Sequence, residues 1–351
     1  MALQRITADE AIAGLASFDA ILDARSPGEY ALDHLPGAQS WPVLDDEERR
    51  EVGTEYKQVD PFEARKRGAA MVARNIARHL DAHTAALPRT WKPLVYCWRG
   101  GQRSGTLAWF LDQIGFRATV LAGGYKAFRK AVIADLETLP ARMHYRVVCG
   151  KTGTGKTHLL AALQRRGAQV LDLEALACHR GSVLGLHPGR PQPSQKAFET
   201  AVWSALRRFD PDLPVFVESE SKKVGNLRVP EALIVSMRAS PDLIRVELSD
   251  AERLRWLMRD YAFFFDEPDL FETQLQALVP LRGRAVVDGW IASARSGDWA
   301  GAYADLMHRH YDPGYLESMQ RNFPAFPQAR VLQVDQADSA ACERAAAALW
   351  P

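Results

Sequence analysis

The 351 residues exceed one ordinary domain and suit two, and 47% apolar with 25% charged residues is the composition of soluble globular proteins. A formal net charge of +1 excludes a global field directed at nucleic acid, so any such contact must come from local basic patches. No uncharged apolar run approaches the roughly 18 residues of a membrane span, and the scattered Cys97, Cys149, Cys178 and Cys342 form no C-x-x-C pair, which argues against a disulfide framework and structural zinc.

In chain order, Met1–Glu10 lacks the apolar core of a signal peptide, so a cytoplasmic protein with reduced thiols and no membrane partner is expected. Residues 20–24, 93–97 and 119–122 are short apolar runs of strand type, the last followed by the turn Gly123-Gly124. Between the first two, 45–87 is charged and helical in pattern, ending near Pro88. Residues 137–142 resemble a linker because Pro140 breaks the preceding helix. A second series of βα units follows, with strands expected at 144–149, 169–173, 214–217, 243–248 and 330–334. Ser249-Asp-Ala-Glu252 has the form of a capping box, opening a helix whose apolar positions are Leu254, Leu257, Met258, Tyr261 and Phe265. Residues 339–350 form an Ala-rich helix that should pack on the sheet. Alternation of strand and helix gives two α/β domains with largely parallel sheets, 1–138 and 139–351.

Two places carry chemistry. Cys97 ends a strand and precedes Trp98-Arg99-Gly100-Gly101-Gln102-Arg103-Ser104 and a helix. A tight strand-to-helix loop turns backbone N–H groups toward one point. Gly100 and Gly101 permit the curvature, while Arg99 and Arg103 add positive charge, so a reactive thiolate beneath an anion cradle is expected. A merely structural buried cysteine would leave those glycines and arginines without a reason. The second place is Gly150-Lys-Thr152-Gly153-Thr-Gly155-Lys156-Thr157, which satisfies G-x-x-x-x-G-K-[ST] between a strand and a helix. Its amides cradle phosphate, Lys156 neutralises charge and Thr157 can ligate Mg²⁺. Glu218 and Glu220 follow the 214–217 strand; either could hold Mg²⁺ through water, or both could be a solvated strand end. Cys178 beside His179 in His179-Arg-Gly-Ser182 reads as a structural or substrate contact, since adjacent side chains rarely face one another.

The first of these places lies within a wider resemblance. Asp23-Ala-Arg-Ser-Pro27, Glu29-Tyr30, His34-Leu-Pro-Gly-Ala38 and Leu121-Ala-Gly-Gly-Tyr125 around Cys97 resemble the rhodanese family, with Asp23 and Arg25 shaping the loop. The spacing from Cys97 to Arg103 is C-x5-R, one residue longer than the common sulfurtransferase form and similar to rhodanese-fold phosphatases; a wider cradle suits phosphate or selenophosphate.

The whole chain is similar to the tRNA 2-selenouridine synthase family, a rhodanese-like domain with a parallel sheet followed by a P-loop NTPase-like α/β domain. The resemblance rests on Cys97–Ser104, on Leu173-Glu-Ala-Leu-Ala177 with His179–Ser182, and on Val217-Glu-Ser-Glu220. It implies exchange of sulfur for selenium at C2 of wobble 2-thiouridine in tRNA, with selenophosphate as donor and an S-geranyl intermediate made from geranyl diphosphate. A selenophosphate-supplying enzyme is then an expected partner, and haem, flavin and zinc are not expected. The P-loop is expected to hold either a nucleotide or the diphosphate of geranyl diphosphate, with Mg²⁺, and the apolar face near 261–265 either shelters the prenyl tail or is plain core. Basic clusters that could meet tRNA phosphates are Arg65-Lys66-Arg67 with Arg74, Arg207-Arg208, Lys222-Lys223, and Arg253 with Arg255 and Arg259. The alternatives are a rhodanese-fold phosphatase or sulfurtransferase joined to a nucleotide-binding regulatory domain.

Overall fold

The computed structural model describes residues 3–350, and the chain divides into two compact units, 1–135 with 199–201 and 136–198 with 202–351. In the first, β1 (Gln4–Ile6), β2 (Ala20–Asp23), β3 (Ala38–Ser40), β4 (Pro93–Tyr96) and β5 (Thr119–Leu121) form one parallel sheet in the order β1-β5-β4-β2-β3. All residues of β2, β4 and β5 are buried, as continuous apolar runs covered on both faces should be. The covering helices are α1 (Ala8–Ala13), α2 (Pro27–Leu32), α3 (Asp46–Gln58), α4 (Pro61–His83), α5 (Gln102–Ile114) and α6 (Gly124–Thr138). Local chemistry fixes their starts: Thr7 with Glu10 and Asp45 with Glu48 make reciprocal capping boxes, and Asp60 caps α4 ahead of Pro61. The two short strands β1 and β3 lack an apolar run and were not legible in the sequence. The supposed linker is an ordered 3₁₀ turn, Leu139–Arg142, whose Pro140 is buried and accepts a hydrogen bond from Tyr145 Oη.

The second unit is built on β6 (His144–Cys149), followed by α7 (Lys156–Arg165), β7 (Gln169–Leu171), α8 (Leu173–Ala177), α9 (Gln195–Leu206) and β8 (Pro214–Glu218). A small antiparallel hairpin, β9 (Lys223–Val224) and β10 (Leu227–Arg228), precedes α10 (Glu231–Arg238) and β11 (Leu243–Glu247). After a long helical segment the chain returns as β12 (Arg330–Gln333) and ends in α18 (Ser339–Leu349). The sheet is parallel, ordered β12-β11-β6-β8-β7. Because β6 has β8 on one side and β11 on the other, the connections diverge and leave a crevice at its carboxyl end, where such sheets bind ligands.

The helical segment comprises α11 (Asp250–Asp260), α12 (Phe263–Asp266), α13 (Pro268–Gln276), α14 (Val279–Arg282), α15 (Arg284–Arg295), α16 (Trp299–Leu306), a π-helical turn at Met307–Tyr311, and α17 (Asp312–Asn322). Here the structure departs from the sequence reading twice. The single helix expected from Ser249 through Phe265 stops at Asp260, and a turn at Tyr261 carries Phe264 into a core with Tyr261, Phe271, Trp290 and Tyr303. Ser249 caps Glu252 N, but the reciprocal half of the box is missing. The Glu252 carboxylate instead accepts from Ala337 N at 2.8 Å and pairs with Arg255 at 2.7 Å, tying α11 to the loop after β12. Among the described residues no helix is long and apolar enough to cross a membrane.

Candidate functional site

The first candidate site is the loop between β4 and α5. Cys97 is 3% exposed and its Sγ accepts a hydrogen bond from Ser104 Oγ at 3.1 Å. The loop is locked to the segment that opens α6: Tyr125 N donates to Cys97 O at 2.8 Å and Lys126 N to Trp98 O at 3.0 Å. Gly100 has φ +64° and lies so close to Leu121 O that any side chain would collide. That interlock is the physical reason for glycine at Gly100 and at Gly124, where an added Cβ would strike Cys97 O. Gly101 has open space around it and Arg99 is exposed.

Arg103 is placed differently from the simple expectation of a cation over the thiol. Its Nη1 is committed to Glu29 at 2.8 Å. Burial by itself would raise the Glu29 carboxyl, but Arg103 and the Ser26 amide hold it below its ordinary value. Beneath the loop, the Arg25 guanidinium is 1% exposed and grips the Asp23 carboxylate, with Nη2 also donating to Asp33 O at 2.6 Å. Tyr96 Oη bonds Asp23 and Tyr125 Oη bonds Asp33, while the Arg25 guanidinium lies 4.1 Å from the Tyr125 ring centre. Asp23 and Arg25 therefore shape the floor of the loop. Beside it, α3, α4 and α5 enclose a cleft of about 1100 Å³ lined by Arg49, Lys57, Arg65, Arg103 and the apolar Val72 and Phe110.

The second site lies at the crevice beyond β6. Lys156 Nζ donates to Gly150 O at 3.0 Å, and Thr154 Oγ1 braces Lys151 O at 2.8 Å. Thr157 Oγ1 lies 3.0 Å from Glu218 and 3.2 Å from Glu174. Glu174, Glu218 and Glu220 present carboxylate oxygens all within 4.8 Å of one another. Crowding three acids in a buried place favours protons on them. Burial and then the Glu218 charge push Glu220 up to about 8. Burial, with Glu218 and Glu220 beside it, raises Glu174, and burial raises Glu218 against the opposing pull of Lys156. Glu218 is 5% exposed, so the solvated-strand-end alternative does not hold. An all-oxygen donor set beside a phosphate cradle fits a hard divalent cation such as Mg²⁺.

These groups line a pocket of about 430 Å³ whose remaining wall includes Arg180, His187 and Arg190. Trp256 closes one end; its indole stacks on His158 with ring centres 3.8 Å apart, under the Arg259 guanidinium, and His158 Nε2 meets Asp260 at 3.0 Å. Cys178 also lines the pocket, with its Sγ 3.7 Å from Arg190 O. In the aromatic face at 261–265, Tyr261 and Phe264 are buried among the helices, and Tyr261 also lines the pocket.

Of the basic clusters, Lys66 pairs with Glu63, Arg67 with Glu51, and Arg255 with Glu252. Arg207 lies against the Trp203 ring. Arg65, Arg74, Arg208, Lys222 and Lys223 are exposed without a carboxylate partner among the described residues. Arg253 departs from the reading that grouped it with phosphate-facing residues. It is 1% exposed, donates from Nε to Thr152 O at 2.9 Å and forks onto Asp312. It is a strut for the P-loop.

Sequence reasoning missed Glu174 and Trp256 as pocket residues, while Arg180 and Ser182 of the singled-out His179–Ser182 stretch do line the pocket. Glu174 had a signal: Asp172 and Glu174 directly follow β7, and in a parallel sheet that strand end shares an edge with the ends of β6 and β8.

Comparison with known proteins agrees with the two-part architecture. Residues 7–131 match the rhodanese-like domain family and residues 143–277 the family described as tRNA 2-selenouridine synthase AAA domain. A tRNA 2-selenouridine synthase from Aeromonas salmonicida is 36% identical over 244 residues, 69% of this chain and 64% of its own length. One from Alcanivorax borkumensis is 33% identical over 262 residues, 71% and 70% of the two chains. The chain thus spans about two thirds of the length of the curated relatives it matches. Among solved structures, a rhodanese-related protein from Thermoplasma volcanium is 18% identical, covering 36% of this chain and 92% of that one, with a TM-score of 0.24.

Proposed function

The chain belongs to the tRNA 2-selenouridine synthase family, and from that premise we propose that it is a cytoplasmic tRNA-modifying transferase replacing sulfur by selenium at C2 of a wobble 2-thiouridine. One observation carries the reading: a single chain holds both a thiol loop and a phosphate cradle backed by three carboxylates. The first station suits a selenium donor; the second suits a departing diphosphate.

In the first step the thiouridine sulfur attacks C1 of geranyl diphosphate, the C–O bond breaks with its electron pair leaving on the diphosphate, and the N3 proton of the base passes to water. The P-loop amides and Lys156 receive that charge as it develops. Mg²⁺ held by Glu174, Glu218, Glu220 and the Thr157 hydroxyl would supply further neutralisation of the leaving group. Alkylation converts a poor sulfide leaving group into a thiolate. In the second step selenium from selenophosphate held at the Cys97 loop attacks C2, the geranyl thiolate departs, and water cleaves the P–Se bond to release phosphate. The loop amides, with Arg99 at their edge, suit that donor, which a selenophosphate-supplying enzyme would provide. Exposed Arg65, Arg74, Arg208, Lys222 and Lys223 are available for tRNA phosphates.

The test incubates the full chain with thiolated tRNA, geranyl diphosphate and selenophosphate and resolves the nucleosides by mass. Cys97→Ser should accumulate the S-geranyl nucleoside without selenouridine, and Lys156→Ala should fail at geranylation. Selenouridine formed at the normal rate by Cys97→Ser would remove the cysteine from the reaction. Unchanged geranyl diphosphate affinity in Lys156→Ala would return the P-loop to another phosphorylated ligand.

A further inference from the structure

The wall of the P-loop pocket formed by residues 178–190 has no part in the steps above. Residues 178–190 fold over the pocket as a compact loop: Arg180 N donates to Gly185 O at 2.8 Å, and His179 pairs with Leu186 in an isolated bridge. Gly181, at φ +68°, comes so near Glu174 Oε1 and Glu220 that a side chain there would strike both carboxylates. The loop therefore lies directly on the acidic cluster.

Arg180 is the fixed point of this wall. Its Nη1 donates to Asp260 O, and its guanidinium lies 4.9 Å from the ring centre of Tyr261 and 5.8 Å from that of Phe263. These contacts hold the planar group in place without neutralising it. No carboxylate pairs with Arg180 among the described residues, although almost every other half-buried or buried arginine discussed here has one. Arg180 lines the same 430 Å³ pocket as Gly155, Lys156 and Thr157. Arg190 and His187 line that wall too; burial, with Arg180 and Arg190 nearby, lowers His187 and favours its neutral form. A rigid guanidinium left without a counter-charge in a pocket already equipped for one phosphoryl group is short of an anion.

We propose that Arg180 forms a second anion subsite, which takes the second phosphoryl group of a diphosphate whose first rests on the P-loop amides and Lys156. The subsite makes the pocket selective for linked phosphoryl groups over a single phosphate. It rests on the diphosphate reading of the P-loop and adds the residue that measures the ligand's length.

The experiment compares binding of inorganic diphosphate and inorganic phosphate to the full chain in the presence of Mg²⁺, by calorimetry. Arg180→Ala should lose roughly 10- to 100-fold in diphosphate affinity, the scale of a charge-assisted hydrogen-bond pair, while phosphate affinity changes by less than about threefold. Arg180→Lys keeps the charge but loses the fork, and should recover part of the loss. An unchanged diphosphate affinity in Arg180→Ala overturns the subsite. Equal losses for both anions also overturn it, since Arg180 would then only shape the pocket. A wild-type chain that binds no diphosphate refutes the diphosphate reading itself, and does so before any variant is made.

Discussion

Replacing Arg253 by methionine tests whether the strut behind the P-loop contributes as the geometry requires. Methionine keeps most of the stem but removes the cation that donates to Thr152 O, Asp250 and Asp312. Asp312 is 7% exposed and would keep only Lys151 at 3.3 Å and, more distantly, His308 at 4.0 Å. Breaking a buried pair by removing one partner costs about 3–5 kcal/mol. The surviving lysine, and protonation of Asp312, limit the loss, so about 3 kcal/mol is expected. For a folding unit of this size that is a fall of roughly 6–12 °C in the melting temperature. The loss must also depend on pH. Burial opposes ionisation of Asp312, but Arg253 and then Lys151 hold its carboxyl below the ordinary 3.8. A lowered folded value gives stability that is present above the unfolded value and lost as pH falls through the folded one. The difference between wild type and variant should therefore be full near pH 7 and shrink below about pH 4. Urea unfolding monitored across that range is the assay. A loss under about 1 kcal/mol at neutral pH, or one that does not shrink in acid, refutes the reasoning.

The carboxylate cluster makes the opposite pH prediction. Raised folded values for Glu174, Glu218 and Glu220 mean the folded chain holds more protons than the unfolded one between about 4.5 and about 8. Metal-free stability contributed by the cluster should fall as pH rises through that window, and added Mg²⁺ should raise the melting temperature more at pH 8 than at pH 6. A Mg²⁺ response independent of pH counts against carboxylate ligation. In the rhodanese unit, Gly100→Ala should destabilise by several kcal/mol or prevent folding, on the order of a positive-φ strain plus a backbone collision. Gly101→Ala, in open space, should stay within about 1 kcal/mol in the same unfolding measurement. Ser104→Ala removes the donor to Cys97 Sγ and should slow alkylation of Cys97 by iodoacetamide about tenfold; an unchanged rate denies Ser104 a part in activating the thiol. Arg65→Ala with Arg74→Ala should weaken tRNA binding and flatten its salt dependence, whereas equal salt slopes would place tRNA elsewhere.

What was legible in the sequence was whatever depends on neighbours along the chain. The glycine-rich turn ahead of Lys156, the strand-to-helix loop at Cys97, the long helices at 46–83 and the apolar strands β2, β4, β6 and β8 are local patterns, and each lies where its residues placed it. The short strands β1 and β3, the hairpin β9–β10, the break after Asp260 and the helices from α12 to α17 were not, because their stability comes from packing against remote partners.

Charge shows the division most plainly. The sequence identifies Arg103, Arg253, Glu218 and Glu220 as ionisable, but whether each faces solvent, a ligand or a counter-charge is settled by residues far away. Glu29 takes Arg103, Asp312 takes Arg253, and Glu174 arrives from the end of another strand to complete the acidic cluster. By itself the sequence determined the two chemical stations and the order of the domains that carry them. Only the tertiary structure decided which charges are spent internally and which, like Arg180, remain for a ligand, since electrostatic pairing depends on distance in space and burial rather than on separation along the chain.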